Sequence, residues 1–73
     1  MQTGKISKLF PETMHGKIWT TGGKEAHFHR HCLLNVQFSE LFVGRDVMFE
    51  AQETYNGMIA FEIRPDLKKE GRA

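Results

Sequence analysis

The sequence predicts an all-β chain that folds as a small, closed or nearly closed barrel of five strands. Two hairpins carry this prediction, one turning at Gly22-Gly23 and the other at Asn56-Gly57, and apolar and polar residues alternate on both sides of each turn. The third observation is spacing, because five short segments separated by glycine-bearing turns fill about the first 65 positions. These features together favour a single compact β domain.

The first strand is predicted over residues 4–10, and Pro11 ends it because proline cannot donate to a sheet ladder. The second and third strands form the hairpin over residues 15–31, in which we expect Gly22 and Gly23 to supply the positive φ angles of a tight turn. Residues 34–44 have no clean periodicity and are predicted to form a long connection that contains Phe38.

The fourth strand is predicted over residues 46–51, with Val47, Phe49 and Ala51 on one face. The fifth strand is predicted over residues 58–64 and is closed by Pro65, and we expect three of its apolar residues to point inward. These are Ile59, Phe61 and Ile63.

The hairpin over residues 15–31 separates its side chains by chemistry, because alternate residues of a strand point to opposite faces. One face is apolar or small and carries Gly16, Ile18, Ala26 and Phe28. The other is cationic, rich in imidazole and partly aromatic, and carries His15, Lys17, Trp19, His27, His29 and His31. A surface of this kind suits an anionic ligand with flat groups, which favours nucleic acid.

The length of 73 residues allows one domain, assigned to residues 1–66, followed by a polar stretch at 67–73 that is either a frayed tail or the start of a linker to further protein. A single cysteine, Cys32, excludes an internal disulfide and fits a reducing compartment. The sequence contains neither a secretory signal nor an apolar run long enough to cross a bilayer, so a cytoplasmic location is expected.

The net charge of +1 conceals a segregation along the chain. Residues 1–33 carry a net +3 before any histidine is counted, whereas residues 34–66 carry a net −4. Two interpretations stay open: a barrel with one positive face that steers a polyanion, or charges of both signs dispersed over the surface.

The chain resembles the cold-shock domain family, the small barrels that bind single-stranded RNA and DNA. The family's Gly-x-Val-Lys-Trp-Phe opening corresponds to residues 4–9, its Lys-Gly-Phe-Gly-Phe-Ile motif to residues 13–18, and its Val-Phe-Val-His-Phe motif to residues 26–30. The Gly-x-x-Val-x-Phe-Glu strand is intact over residues 44–50, and the register holds without a gap from Gly4 to about Pro65. The resemblance implies a five-stranded antiparallel OB-like barrel.

The departures from the family fall almost entirely on the expected binding face. Where the family presents aromatic rings to bases, this chain has basic residues at five positions, and only His29 and Phe38 are retained. We therefore predict single-stranded nucleic acid binding that depends more on charge than on stacking, without a cofactor and without catalysis. The predicted binding residues are Lys8, His15, Lys17, Trp19, His27, His29, Arg30 and Phe38.

Three other function classes compete with this prediction. A metal site is suggested by His27, His29 and His31, because the three histidines would share one strand face. Cys32 directly follows them in the sequence. An enzyme is not expected, because adjacent residues of a strand such as His31 and Cys32 point to opposite faces and cannot form a catalytic couple. The main alternative is a protein-interaction or scaffolding module that keeps the barrel but no longer binds nucleic acid, with a basic face that could meet an acidic protein or an anionic lipid. An additional domain or a protein partner is also left open.

Overall fold

A computed structural model describes residues 1–66, which form a closed barrel with the strand order β1-β2-β3-β5-β4, in which β4 also pairs with β1. The strands are β1 (Gln2–Phe10), β2 (His15–Thr20), β3 (Glu25–His29), β4 (Asp46–Thr54) and β5 (Gly57–Pro65). All strand pairs are antiparallel except the short contact between β3 and β5, which is parallel. The predicted all-β fold and the five-stranded OB-like barrel are confirmed.

The core lies inside the barrel and is filled by one face of every strand. Its buried apolar side chains are Ile6, Ile18, Ala26, Phe28, Leu41, Val47, Phe49, Ala60 and Ile63. Phe49 is the largest of the fully buried ones. The predicted inward faces of the hairpin and of β4 are confirmed, although Ala51 is only partly buried. The outer faces of β1, β2 and β3 consequently remain available to solvent.

β5 departs from the prediction at a bulge. Ile63 is buried, but Ile59 is 42% exposed, Phe61 is only partly buried, and Ala60 occupies the inward position instead. The pairing with β4 explains the change, because Met48 pairs with Arg64 and Glu50 pairs with Phe61. Two residues along β4 are thus matched by three along β5. Glu62 adopts a left-handed φ of 52° at this extra residue. Strict alternation from Ile63 backwards therefore assigns the wrong face to Ile59 and Phe61.

The β2–β3 turn also differs from the prediction, since only Gly23 has a positive φ (88°), and Gly22 does not. The amide of Gly23 donates to the carbonyl of Thr20, whose own amide donates to the carbonyl of Lys24. These bonds describe a three-residue loop closed by one left-handed residue rather than a two-residue turn.

The third strand is shorter than predicted, because the chain leaves the sheet at His29 and forms a 3₁₀ helix over Arg30–Cys32. His31 is therefore not the third member of an alternating strand face. A second 3₁₀ helix, Phe38–Glu40, lies within the connection predicted over residues 34–44. The strand boundaries at Gln2 and Thr54 extend beyond the predicted limits of 4 and 51.

Residues 67–73, predicted to be a tail or linker, lie outside the described residues. Among residues 1–66, no helix has the length and apolar character needed to span a bilayer.

Candidate functional site

The outer faces of β1, β2 and β3 present three rows of side chains that run across the strands. The rows follow from the register, since directly opposed residues of antiparallel strands project on the same face. We name them the ring row (Phe10, His15, His29), the cationic row (Lys8, Lys17, His27) and the tryptophan row (Lys5, Trp19, Glu25). Successive rows are two residues apart on β2, which is roughly 7 Å.

The cationic row places three basic side chains on three neighbouring strands. Lys8 is opposite Lys17, which is opposite His27. A bulge in β1 makes this register possible, because the extra residue between Ile6 and Lys8 leaves Ser7 without its own partner in β2. Lys8 has no carboxylate within ion-pair distance among residues 1–66, and Lys17 has only Glu25, at 3.9 Å. The row therefore carries little internal neutralisation.

The ring row consists of rings that contact other rings. The Phe10 and His15 centroids are 5.2 Å apart with an interplanar angle of 49°, and His29 stacks on His31 at 4.7 Å and 19°. The imidazole Nδ1 of His29 also accepts a hydrogen bond from the backbone N–H of His31 at 3.3 Å, which caps the 3₁₀ helix. His29 is thus held in a defined orientation at the end of β3.

The pKa of His29 is lowered from its ordinary value. Desolvation is the main cause, followed by the positive charges that His31, Arg30 and His15 present around it. The Nδ1 atom must also be unprotonated to accept the His31 amide hydrogen. His29 is therefore biased towards the neutral imidazole in the free protein.

The tryptophan row is of mixed charge. Trp19 is 53% exposed and is the largest ring open to solvent in the described chain. Its cross-strand neighbour Glu25 accepts a hydrogen bond from the Ser7 hydroxyl at 3.0 Å, and Lys5 on the other side forms an ion pair with Asp46 at 2.8 Å. Negative charge therefore borders the cationic row on this side.

Arg30 and Phe38, the two predicted site residues outside the strands, lie in the 3₁₀ helices and line a separate cavity of about 460 Å³ with Met14 and His31. Arg30 is exposed, whereas Phe38 is partly buried against the core. The backbone N–H of Arg30 donates to the carbonyl of Met14 at 2.9 Å, which joins this cavity to the start of β2. The structure thus brings six of the eight predicted residues onto one strand surface and places two beside it.

A shallow groove of about 350 Å³ lies where β2, β3 and β5 meet. Its walls include the imidazoles of His15, His27 and His29, and Cys32 and Ile59 also line it. Ile59 reaches this position because β5 runs parallel to β3 and pairs it with His27. The groove is lined mainly by apolar surface together with these three imidazoles.

Sequence reasoning missed several members of this surface. Glu25 is two residues before His27, so the alternation that selected the histidines also places a carboxylate on the same face. Phe10 is similarly detectable from the hairpin with His15 once the β1–β2 register is counted. Ile59 had no local signal, because the parallel β3–β5 contact brings it to the groove. Cys32 was noted only as the neighbour of a possible histidine metal site, and the 3₁₀ helix brings it to the groove.

The premises of the metal and catalytic alternatives change with the fold. His31 stacks in parallel over His29 instead of following it along a strand. Within residues 1–66, no three His, Cys, Asp or Glu side chains come together in a way that could hold a metal ion. His31 and Cys32 are neighbours in a 3₁₀ helix, so the strand argument for their opposite orientation does not apply to them.

No protein-family model matches the chain, and no curated protein matches it. What the surface binds is therefore inferred from its own geometry and charge.

Proposed function

We propose that the chain binds single-stranded RNA or DNA on the outer faces of β1, β2 and β3, as a divergent cold-shock-like barrel. The observation that carries the proposal is the cationic row, in which Lys8, Lys17 and His27 come from three adjacent strands with little carboxylate to neutralise them. Neighbouring imidazoles and Trp19 supply flat groups beside these charges. Basic residues interleaved with rings are the pattern that single-stranded nucleic acid requires.

The proposed activity is binding without chemistry, and its cellular use would be RNA chaperoning or the regulation of transcription or translation. These roles follow from the resemblance to cold-shock domains. Arg30 is exposed and directly follows His29 of the ring row. It extends the positive surface towards the cavity of about 460 Å³ that Phe38 also lines.

The experiment is a titration of Trp19 fluorescence with oligothymidylate and oligouridylate at low and moderate salt. We expect quenching that weakens with salt, with a slope of log K against log salt near −2 if Lys8, Lys17 and Arg30 each neutralise one phosphate, at about −0.7 per contact. Lowering the pH should strengthen binding, since a bound polyanion favours the protonated form of His29, whose pKa is lowered in the free protein. A flat pH profile would remove His29 from the site.

A matched pair of variants locates the binding surface. The double change Lys8→Gln with Lys17→Gln removes two charges from the cationic row, whereas Lys24→Gln removes an exposed lysine whose partner is Glu53, at 2.9 Å, away from the row. We expect the first to weaken binding strongly and the second to change it little.

If neither oligomer binds by fluorescence or by calorimetry, the proposal fails and a protein-interaction module becomes the better hypothesis. Phe42 and Val43, which are 50% and 66% exposed, would then be the first residues to test.

A further inference from the structure

We infer that the cationic row binds a linear chain of phosphates directly, so that recognition depends on the phosphate backbone and not on the bases. This inference rests on the proposed function and makes it more specific, since it names the part of the ligand that the site contacts. Two independent observations carry it: the placement of the charges and the pairing of the rings.

The charges are placed in an arrangement that is unfavourable without an anion. Lys8 and Lys17 are directly opposed across β1 and β2, and like charges at such positions destabilise a sheet. The only carboxylate near either ammonium in the described chain is Glu25, whose 3.9 Å distance from Lys17 is at the limit of an ion pair. An anion bound between the two lysines would relieve their repulsion.

The row also has the shape of a linear ligand. Lys8, Lys17 and His27 lie on three adjacent strands that are roughly 4.8 Å apart, so their backbone positions span about 10 Å across the sheet. Successive phosphates of an extended chain can therefore meet successive cationic groups. A lysine ammonium contacts phosphate as a point charge and needs no particular base beside it.

The rings of the ring row, by contrast, are engaged in contacts with other rings. His29 has one ring face covered by His31, and Phe10 contacts His15, as the centroid distances of 4.7 and 5.2 Å show. Trp19 is open, but it shares its row with the carboxylate of Glu25. Base stacking needs free ring faces, and among the described residues beside the lysines only the exposed rings of His27 and Trp19 have no ring partner.

The ligand chemistry is therefore a chain of phosphates, supplied either by the phosphodiester backbone of nucleic acid or by inorganic polyphosphate. The experiment measures calorimetric binding of three probes matched in phosphate number: oligothymidylate, an abasic strand with the same backbone, and inorganic polyphosphate. Each is tested with the natural sequence, with Lys8→Gln, with Lys17→Gln and with the control Lys24→Gln.

We expect the abasic strand to bind within about threefold of oligothymidylate, and each row variant to reduce the salt slope of both by about 0.7. Lys24→Gln should leave both slopes unchanged. Tighter binding of polyphosphate than of either strand would identify inorganic polyphosphate as the source, and weaker binding would identify the sugar-phosphate backbone. Either result supports a phosphate-chain ligand.

The inference fails if oligothymidylate binds while the abasic strand loses more than about tenfold in affinity, a difference of about 1.4 kcal/mol. That result would assign recognition to the bases and leave the proposed function intact. Binding that is equal for the two strands but unaffected by Lys8→Gln and Lys17→Gln would also overturn the inference, because the phosphates would then lie elsewhere. If none of the three probes binds, the proposed function fails together with it.

Discussion

His29 shows how one side chain couples the candidate site to the local fold. Its Nδ1 accepts the His31 amide hydrogen, and its ring supports the stacked imidazole of His31. Desolvation, followed by the charges of His31, Arg30 and His15, lowers its pKa. Protonation of His29 at Nδ1 would therefore break the hydrogen bond that caps the 3₁₀ helix. A bound polyanion would instead stabilise the protonated form of His29.

The sign of the resulting pH effect on stability follows from linkage. Because the folded pKa of His29 is below its unfolded value of about 6.5, the unfolded chain binds more protons, and stability falls as the pH drops below about 6.5. His29→Asn keeps an acceptor close to the position of Nδ1 but does not titrate. Urea denaturation between about pH 7.5 and pH 5.5 should show a larger loss for the natural sequence than for His29→Asn. Equal losses would exclude His29 as the source of the effect.

Glu62 is a second residue whose backbone decides its effect. Its φ of 52° lies in the left-handed region, which costs a non-glycine residue roughly 1–2 kcal/mol. Glycine avoids this cost, but it loses more conformational entropy on folding, which offsets part of the gain. We expect Glu62→Gly to stabilise the barrel by about 0.5–1 kcal/mol, measured by thermal unfolding. Glu62→Gln removes the same charge without changing the backbone preference, so an equal gain from that variant would point to charge instead.

At the scale of elements, the β1–β2 pairing depends on close approach at Gly16. A Cβ atom at this position would be 2.6 Å from the Lys8 carbonyl oxygen and 2.9 Å from the Phe28 ring. Gly16→Ala should therefore separate the strands that carry the ring and cationic rows, at a cost of about 2–3 kcal/mol in unfolding free energy.

Gly22 provides the matched control for this prediction. A Cβ there meets its nearest atom, the Thr20 hydroxyl oxygen, at 3.8 Å, and its φ is ordinary. Gly22→Ala should change the unfolding free energy by less than about 0.5 kcal/mol. If both alanine variants lose the same stability, close packing at Gly16 does not determine the strand pairing.

β3 contributes a carboxylate as well as two imidazoles to the surface, and this carboxylate would reduce the affinity of the proposed site for anions. Glu25 accepts the Ser7 hydroxyl and lies near the Lys17 ammonium. Glu25→Gln should tighten binding of a single-stranded oligomer about threefold at low salt, since exposed ion pairs are worth up to about 1 kcal/mol. Glu50→Gln, which makes the same charge change on β4, should have little effect in the same titration. Equal tightening in both would indicate a general charge effect.

For the whole molecule, the size of the domain makes core packing decisive. A chain of 73 residues is expected to have only about 4–11 kcal/mol of stability. Phe49 is fully buried, and Phe49→Ala should remove about 3–5 kcal/mol, which is enough to unfold a large part of the population. Phe42→Ala, at a half-exposed position, should cost less than about 1 kcal/mol in the same denaturant experiment. Similar losses in both variants would contradict the assigned core.

The barrel pairs some of the positive charges of the first half of the chain with negative charges of the second half. Lys8 and Lys17 lie on β1 and β2, and Arg30 directly follows β3, while Glu50 and Glu62 lie on β4 and β5. Two ion pairs connect the two parts, Lys5 with Asp46 and Lys24 with Glu53, and the second raises the pKa of Lys24 and lowers that of Glu53. The positive surface is therefore narrower than the sequence alone suggested, and it is centred on the cationic row.

The sequence by itself determined the five strands, the presence of a β4–β5 hairpin and the inward faces of β2, β3 and β4, because these depend on alternation and turn chemistry over a few neighbouring residues. The hairpin turn itself lies one residue earlier than predicted, at Tyr55 and Asn56, because Gly57 already pairs with Thr54 and alone has a positive φ there. It also identified the residues that form the ring and cationic rows on β2 and β3. Only the tertiary structure decided which residues oppose them. The bulges at Ser7 and Glu62 shift the register by one residue, and that shift depends on pairing between strands, which no local pattern contains.

The tertiary structure likewise decided the end of β3 and the neighbours of its histidines. His31 leaves the sheet because the chain turns into a 3₁₀ helix whose Leu33 pairs with Ile63 on β5, a contact 30 positions away in sequence. The same closure of the barrel brings Ile59 beside His27. Side-chain type and local spacing thus predicted the charge of the surface, whereas its shape depends on contacts distant in sequence, which form only when the barrel closes.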